Sequence, residues 1–178
     1  MQVLNRIAAG FGLLVVVGML VAWGLSTTRP ATWSVEQRQV LEAEPDVVAE
    51  WVAFPVRWPE WIHGVEGAGA EWAPFGPPSG VGAGQAWRSS RSEGRMEVVA
   101  ATPTSLEYRL TLPAGTTVAT GSLRWSRVDR GTEVVWTDAG DYTGKPFAGL
   151  WVGPMARRVE LQMKAALRML ADRLASAP

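Results

Sequence analysis

The chain has 178 residues, no cysteine and a formal net charge of zero, with 17 Lys and Arg against 17 Asp and Glu. The lack of cysteine excludes a disulfide framework and thiolate chemistry, and balanced charge without a basic stripe argues against a nucleic-acid partner. A domain of about 140 residues can bury a core without disulfides or metals, so these properties predict one globular domain with an N-terminal extension.

The N-terminal extension contains an uncharged apolar segment, residues 7–25. Roughly 19 residues in a helix at ~1.5 Å per residue span ~28 Å, which is close to the hydrocarbon core of a bilayer. Trp23 lies near one end of the segment, where indole rings favour the interface. We therefore predict a single-pass membrane anchor and linker in residues 1–32. A cleaved signal peptide and a buried core helix are the two alternatives.

The charges that flank residues 7–25 give little information about orientation. Arg6 precedes the segment and Arg29 follows it, so positive-inside counting is almost a tie. A short N-terminal segment before a large domain favours an anchor whose domain lies outside. The predicted location is the cell membrane, with the domain of residues 33–178 on its outer side.

The domain begins with alternating residues that predict a strand over residues 33–41. Glu44-Pro45-Asp46 then predicts the start of a short helix, with Asp46 as its N-cap or first-turn acid. The Trp58-Pro59-Glu60-Trp61 segment predicts a turn or a one-turn helix, because proline restricts both itself and the residue before it.

After a Gly- and Pro-rich loop, the sequence predicts strands that follow one another closely. A short irregular strand is expected near residues 70–73. Turn signals bound the strands that follow, which are predicted at residues 85–90, 95–101, 105–112, 118–128 and 132–138. Because no helices alternate with these strands, the pattern predicts an antiparallel meander and excludes a doubly wound parallel sheet.

The last element is predicted to be a long amphipathic helix that begins at Gly153-Pro154, with the proline in its first turn. Apolar residues at helical spacing form one stripe along it: Val159, Met163, Ala166, Leu167, Leu170 and Leu174. A helix of about 20 residues is about 30 Å long, which is enough to cross a whole sheet.

The order of these elements resembles the helix-grip fold of the START-like superfamily. The resemblance is strongest to bacterial polyketide cyclase/dehydrase-like proteins of the SRPBCC group. It depends on Trp58-Pro59-Glu60-Trp61, on the strand starts at residues 94–98 and 131–136, on the Gly140-Asp141 turn and on the closing helix. The resemblance implies an α+β, START-like (Bet v 1-like) fold, in which a curved antiparallel sheet wraps on the C-terminal helix.

The resemblance also implies a cavity between sheet and helix for lipids, polyketides or similar ligands. Fold alone does not choose the function. We expect a membrane-tethered domain that binds a small hydrophobic ligand, without a cofactor. The alternatives are a cyclase/dehydratase-type enzyme and an interaction module with a filled cavity. The sequence leaves the oligomeric state open. Candidate ligand-binding residues are Trp58, Trp61, Trp87, Met96, Tyr108, Leu110, Trp125, Trp136, Trp151, Met155, Val159 and Met163.

Three polar residues are candidates for chemistry or for ligand orientation. Asp138 shares a strand face with Val134 and Trp136, and a carboxyl that points into an apolar pocket has a raised pKa and can serve as an acid or base. His63, the single histidine, is a second acid–base candidate, and a loop histidine in water is the alternative. Tyr108 alternates inward, and its hydroxyl needs a partner: a ligand carbonyl, a backbone group or water. No metal-ligand spacing is present, so no metal site is predicted.

Overall fold

The computed structural model describes residues 2–62, 69–90, 92–112 and 116–176. His63 lies outside the described residues. The helices are α1 (Gln2–Thr27), α2 (Pro45–Val52) and α3 (Ala148–Ser176), and a 3₁₀ helix spans Pro55–Glu60. The strands are β1 (Thr32–Leu41), β2 (Glu71–Phe75), β3 (Gly84–Arg88), β4 (Glu93–Thr102), β5 (Ser105–Leu112), β6 (Thr116–Val128) and β7 (Gly131–Asp141).

The N-terminal apolar segment is helical, and the C-terminal end of α1 packs against the start of α3. At that contact Gly149 lies so close to the backbone of Ser26 and Arg29 that a methyl group there would overlap them. A membrane-spanning helix needs about 20 predominantly apolar residues. Within the described part of the chain, no helix is both long and apolar enough to meet that requirement. The predicted single-pass anchor at residues 7–25 is therefore not supported.

The seven strands form one antiparallel sheet in the order β1-β7-β6-β5-β4-β3-β2. Each strand from β2 to β6 pairs with the next strand along the chain, so the predicted meander is confirmed. Strand β1 closes the order by pairing with β7, from Thr32 opposite Asp141 to Leu41 opposite Thr132. Its alternating burial is confirmed: Trp33 and Leu41 are buried, and the residues between them alternate between half-buried and exposed.

The short helix and the 3₁₀ helix form the elements between β1 and β2, as the prolines predicted. Trp58 in the 3₁₀ helix and Trp61 directly after it point into the core and are almost completely buried. Their indole N–H groups donate to the backbone oxygens of Val52 and Trp51, at 3.0 and 3.3 Å. Because a buried indole needs such a partner, these two bonds fix both rings within the core.

Helix α3 begins at Ala148, five residues before the predicted start, so Pro154 lies inside the helix. Proline has no N–H, and at this position the helix loses a single hydrogen bond, to the carbonyl of Leu150. The predicted apolar stripe is confirmed. Met163, Ala166, Leu167 and Leu170 are buried against the sheet.

The two halves of α3 cover different parts of the sheet. The second half packs into the main core with α2, the 3₁₀ tryptophans and the inner faces of the strands. The first half contributes Val152 to a smaller apolar cluster with Trp33 of β1 and Ala119 of β6. The predicted α+β class and the long C-terminal helix across an antiparallel sheet are thus confirmed, and the space under the first half of α3 contains the candidate site.

Candidate functional site

A cavity of about 290 Å³ lies between the inner face of the sheet and the first half of α3. Its wall consists mainly of aromatic and aliphatic side chains from β1, β2, β3, β4, β5, β6, β7 and α3. Cavities of this kind, apolar with a few polar groups, are the usual form of small-molecule sites. At about 290 Å³ the volume lies at the lower end of the usual range, roughly 300–1,000 Å³, so it suits a small ligand.

Eight of the twelve predicted ligand-binding residues line this cavity. They are Trp87, Met96, Tyr108, Leu110, Trp136, Met155, Val159 and Met163. The strand alternation of β5 and β7 accounts for Tyr108, Leu110 and Trp136, and the helical stripe of α3 accounts for Val159 and Met163. Their contact with a ligand stays a prediction.

The other four predicted residues lie elsewhere. Trp58 and Trp61 stand behind the wall: their rings contact those of Tyr108 and Trp136, with centroids 6.0 and 5.6 Å apart. Trp125 is buried in the main core. Trp151 lies on the outer side of α3 and is 69% exposed. Its placement differs from the expectation because α3 begins earlier than predicted, so that Trp151 is a helical residue with an outward direction.

The main polar feature of the sheet wall is a hydrogen-bonded chain of three side chains. The Trp136 Nε1–H donates to the Tyr108 hydroxyl at 2.8 Å, and the Tyr108 hydroxyl in turn donates to Asp138 Oδ1. All three side chains line the cavity. The predicted inward direction of Asp138 and Tyr108 is therefore confirmed, but the partner of Tyr108 is Asp138, which was not among the expected partners.

Strand β6, which lies between β5 and β7, makes the hydrogen bond between Tyr108 and Asp138 possible. Tyr108 on β5 is opposite Gly121 on β6, and Gly121 is opposite Asp138 on β7. A methyl group at Gly121 would overlap Asp138 Oδ1 and the hydroxyl end of Tyr108. The missing side chain thus provides the space in which two non-adjacent strands exchange a side-chain hydrogen bond.

Burial changes the acid–base properties of both groups. It raises the pKa of Asp138 to about 7, against a smaller lowering effect of the Tyr108 and Trp136 hydrogen bonds. Burial, together with the charge of Asp138, raises the pKa of Tyr108 well above its usual value. Asp138 therefore exists in both protonation states near neutral pH, which is the property that an acid–base residue needs, while Tyr108 stays protonated.

Eight further residues of the wall were missed by sequence reasoning: Trp33, Ile62, Trp72, Leu112, Ala119, Tyr142, Arg158 and Gln162. The alternation of β1 already placed Trp33 on the inner face, so a signal for it existed. Trp72 stacks at a tilt on Trp87, with ring centroids 5.9 Å apart, a contact that depends on the pairing of β2 with β3. Arg158 and Gln162 lie at the edge of the helical stripe, where polar residues look like the solvent face.

The described residues include no group of three His, Asp or Glu side chains placed to hold a metal ion. Apart from indole N–H groups, the polar side chains of the described cavity wall are Asp138, Tyr108, Tyr142, Arg158 and Gln162. This arrangement can orient a ligand oxygen and can exchange one proton with it.

The comparison with protein families decides what kind of domain this is. A family model described as "Polyketide cyclase / dehydrase and lipid transport" matches residues 32–175. The chain belongs to this family. The match includes every strand of the sheet and all but the last residue of α3, so it contains the whole cavity wall. No curated protein matches the chain.

This chain has the same fold as several solved structures of low sequence identity. CV1439 from Chromobacterium violaceum superimposes with a TM-score of 0.60 at 14% identity, over 81% of this chain and 98% of that one. The di-domain ARO/CYC protein BexL from the BE-7585A biosynthetic pathway superimposes with a TM-score of 0.62 at 19% identity, over 87% of this chain and 54% of that one. This chain thus spans about half of BexL. Ara h 8.0201 superimposes with a TM-score of 0.59 at 12% identity, over 82% of this chain and 99% of that one. At these identities the likeness shows the fold alone.

Proposed function

We propose that this domain binds a small hydrophobic ligand in the cavity between its sheet and the first half of α3. The observation that supports the proposal is an unfilled apolar space of about 290 Å³ whose sheet wall contains a buried hydrogen-bonding pair, Tyr108 and Asp138. Burial of ligand carbon provides about 25 cal/mol per Å², and the pair orients a ligand oxygen. The membrane tether predicted from residues 7–25 forms no part of this proposal.

The test uses N-phenyl-1-naphthylamine, a neutral aromatic probe whose fluorescence rises in apolar surroundings. We expect saturable binding to the wild-type protein. Val159→Trp places an indole in the cavity wall and should weaken binding at least about tenfold, because the probe and the new ring need the same space.

The matched control is Leu161→Trp, which adds the same ring on the same helix. Leu161 is 56% exposed and does not line the cavity, so this variant should bind like the wild type. Thermal unfolding of both variants checks that each is folded. Equal binding by Val159→Trp and Leu161→Trp would place the probe outside the cavity and contradict the proposal.

The second candidate function is a cyclase or dehydratase reaction in the same cavity. The observation that favours it is Asp138, whose pKa burial raises to about 7 next to the Tyr108 hydroxyl. As a carboxylate, Asp138 can take a proton from an acidic C–H of a poly-β-ketone. As an acid, it can protonate a ketone oxygen or a departing hydroxyl.

The experiment for this candidate compares turnover with binding on a panel of aromatic polyketide substrates. Asp138→Asn should abolish turnover and leave affinity within about threefold, since the amide keeps the shape of the carboxyl group. His63→Gln tests the other acid–base candidate in the same assay. Substrate that binds without turnover in the wild-type protein would leave the binding function alone. The unfilled cavity of about 290 Å³ argues against the third interpretation, an interaction module with a filled interior.

A further inference from the structure

The helix side of the cavity differs in chemistry from the sheet side. Arg158 and Gln162 both line the cavity, and they lie four residues apart on α3, so they are neighbours on one helix face. The residues of α3 beside them in the wall are Met155, Val159 and Met163, which are apolar. Two polar side chains therefore stand together at an otherwise apolar wall.

No acidic residue stands three or four positions from Arg158 on α3. The positions three and four residues away on the helix are Pro154, Met155, Leu161 and Gln162. The adjacent Arg157 differs, because it faces Glu160 at 3.9 Å on the side of the helix away from the cavity. Within the part of the chain that the structure describes, no carboxylate pairs with Arg158. Its positive charge is available at the wall of the cavity.

A third donor comes from β1, the strand that packs beside α3. Trp33 packs against the first half of α3 together with Met155 and Val159. Its Nε1–H is buried and has no hydrogen-bond partner among the described residues. The guanidinium and the Gln162 amide on α3, with this N–H on the neighbouring strand, supply several donors at this end of the cavity, which favours a ligand group that accepts hydrogen bonds.

We propose that Arg158 and Gln162 bind the head group of an amphipathic anion whose apolar body fills the cavity. The head group is an oxyanion (a carboxylate, a sulfonate or a phosphate), because a guanidinium forms charge-assisted hydrogen bonds with such oxygens. This inference rests on the proposed binding function and adds the class of ligand. The ligand is oriented with its charge at α3 and its apolar body against Met96 of β4 and Leu110 of β5.

The experiment compares two probes that share one aromatic skeleton. 8-Anilino-1-naphthalenesulfonate has a sulfonate, whereas N-phenyl-1-naphthylamine is the same molecule without it. We expect Arg158→Gln to weaken binding of the sulfonate about three- to tenfold, as the loss of a partly exposed charge-assisted contact predicts. The same variant should leave binding of the neutral probe within twofold. Because Arg158 is exposed, the substitution should not unfold the domain.

Arg157→Gln is the matched control, since it removes the same charge from the adjacent residue that does not line the cavity. It should leave both probes within twofold, and added salt should weaken only the sulfonate in the wild-type protein. Displacement of the sulfonate by decanoate or by decyl phosphate, each compared with decanol, identifies the preferred oxyanion.

The outcomes separate this inference from the proposed function. If the neutral probe binds and Arg158→Gln affects both probes equally or neither, the head-group site is wrong while the binding function stands. The same conclusion follows if only the neutral probe binds. If neither probe binds the wild-type protein, the proposed function fails and the head-group site fails with it.

Discussion

Tyr108 and Asp138 lie on strands that do not pair with each other, yet the Tyr108 hydroxyl donates a hydrogen bond to Asp138 across Gly121. The strand between them contributes backbone alone at this point, so the two side chains meet over it. Among the described strand residues that line the cavity, Tyr108 and Asp138 are the only two with titratable side chains, and this hydrogen bond joins them. The stability of the sheet and the acid–base behaviour of the cavity therefore both depend on a residue without a side chain.

The first prediction concerns Gly121. Gly121→Ala should destabilise the protein by about 1–3 kcal/mol, because the added methyl overlaps Asp138 Oδ1 and Tyr108 and forces both to move. Urea unfolding measures the loss. Gly153→Ala is the control: a methyl there meets nothing within 4 Å, and a helical Gly-to-Ala change stabilises by roughly 0.5–1 kcal/mol. Equal effects of the two changes would show that Gly121 is not in close contact with the pair.

The second prediction concerns the pH dependence of stability. The pKa of Asp138 is raised in the folded state from its ordinary 3.8 to about 7, so between these pH values the folded protein binds the extra proton. The contribution of Asp138 to the free energy of unfolding is therefore fully present below pH 3.8 and is lost as the pH rises to about 7. At about 1.4 kcal/mol for each pKa unit, the total change is of the order of 4 kcal/mol.

Asp138→Asn removes this titration. Relative to the wild type, the variant should therefore be more stable at pH 8 than at pH 5, by a few kcal/mol in urea unfolding. Asp141→Asn is the control, because a hydrogen bond from Thr143 lowers the pKa of that exposed carboxyl and both pH values lie above it. If the difference in unfolding free energy between the wild type and Asp138→Asn is the same at both pH values, the pKa of Asp138 is not raised.

The sequence predicted the fold well because its signals are local. Alternation along β5 and β7 placed Tyr108 and Asp138 on the inner face, and helical spacing placed Val159 and Met163 on the inner side of α3. These patterns give the direction of a side chain from its own element alone. Turn residues between the strands then determined which strands pair, with the exception of β1.

The contacts that define the site are not local. The hydrogen bond from Tyr108 to Asp138 depends on the registers of two strand pairs that happen to place Gly121 between them. The tryptophans Trp58 and Trp61 are in the core because backbone oxygens satisfy their indoles, which composition does not reveal. Arg158 was missed because an arginine beside an apolar stripe has the same pattern whether it faces solvent or the rim of a cavity.

The third prediction concerns the pH dependence of binding of the neutral probe. A ligand that excludes water from the cavity further disfavours the charged form of Asp138, so N-phenyl-1-naphthylamine should bind several-fold more tightly at pH 6 than at pH 8. Tyr108 and Tyr142 also line the cavity, but burial raises the pKa of both hydroxyls above its usual value, so neither changes charge in this range. Asp138→Asn should make affinity independent of pH, and a persistent pH dependence in that variant would assign the effect to another group.

The fourth prediction separates the roles of the two cavity tyrosines. The Tyr108 hydroxyl lowers the pKa of Asp138 by hydrogen bonding to it, in opposition to burial. Tyr108→Phe should therefore raise that pKa above about 7 and move the midpoint of the pH dependence of probe binding to higher pH. The change also leaves the Trp136 N–H without its acceptor, so we expect a loss of stability of about 1–3 kcal/mol.

Tyr142→Phe is the matched control for this change. Tyr142 also lines the cavity, but it is only partly buried and is not bonded to Asp138, so the midpoint should not move. Probe titrations over pH 5–9 measure both variants. A lower midpoint in Tyr108→Phe would mean that the hydroxyl stabilises the protonated carboxyl rather than the carboxylate, and the direction of proton donation in the pair would have to be reversed.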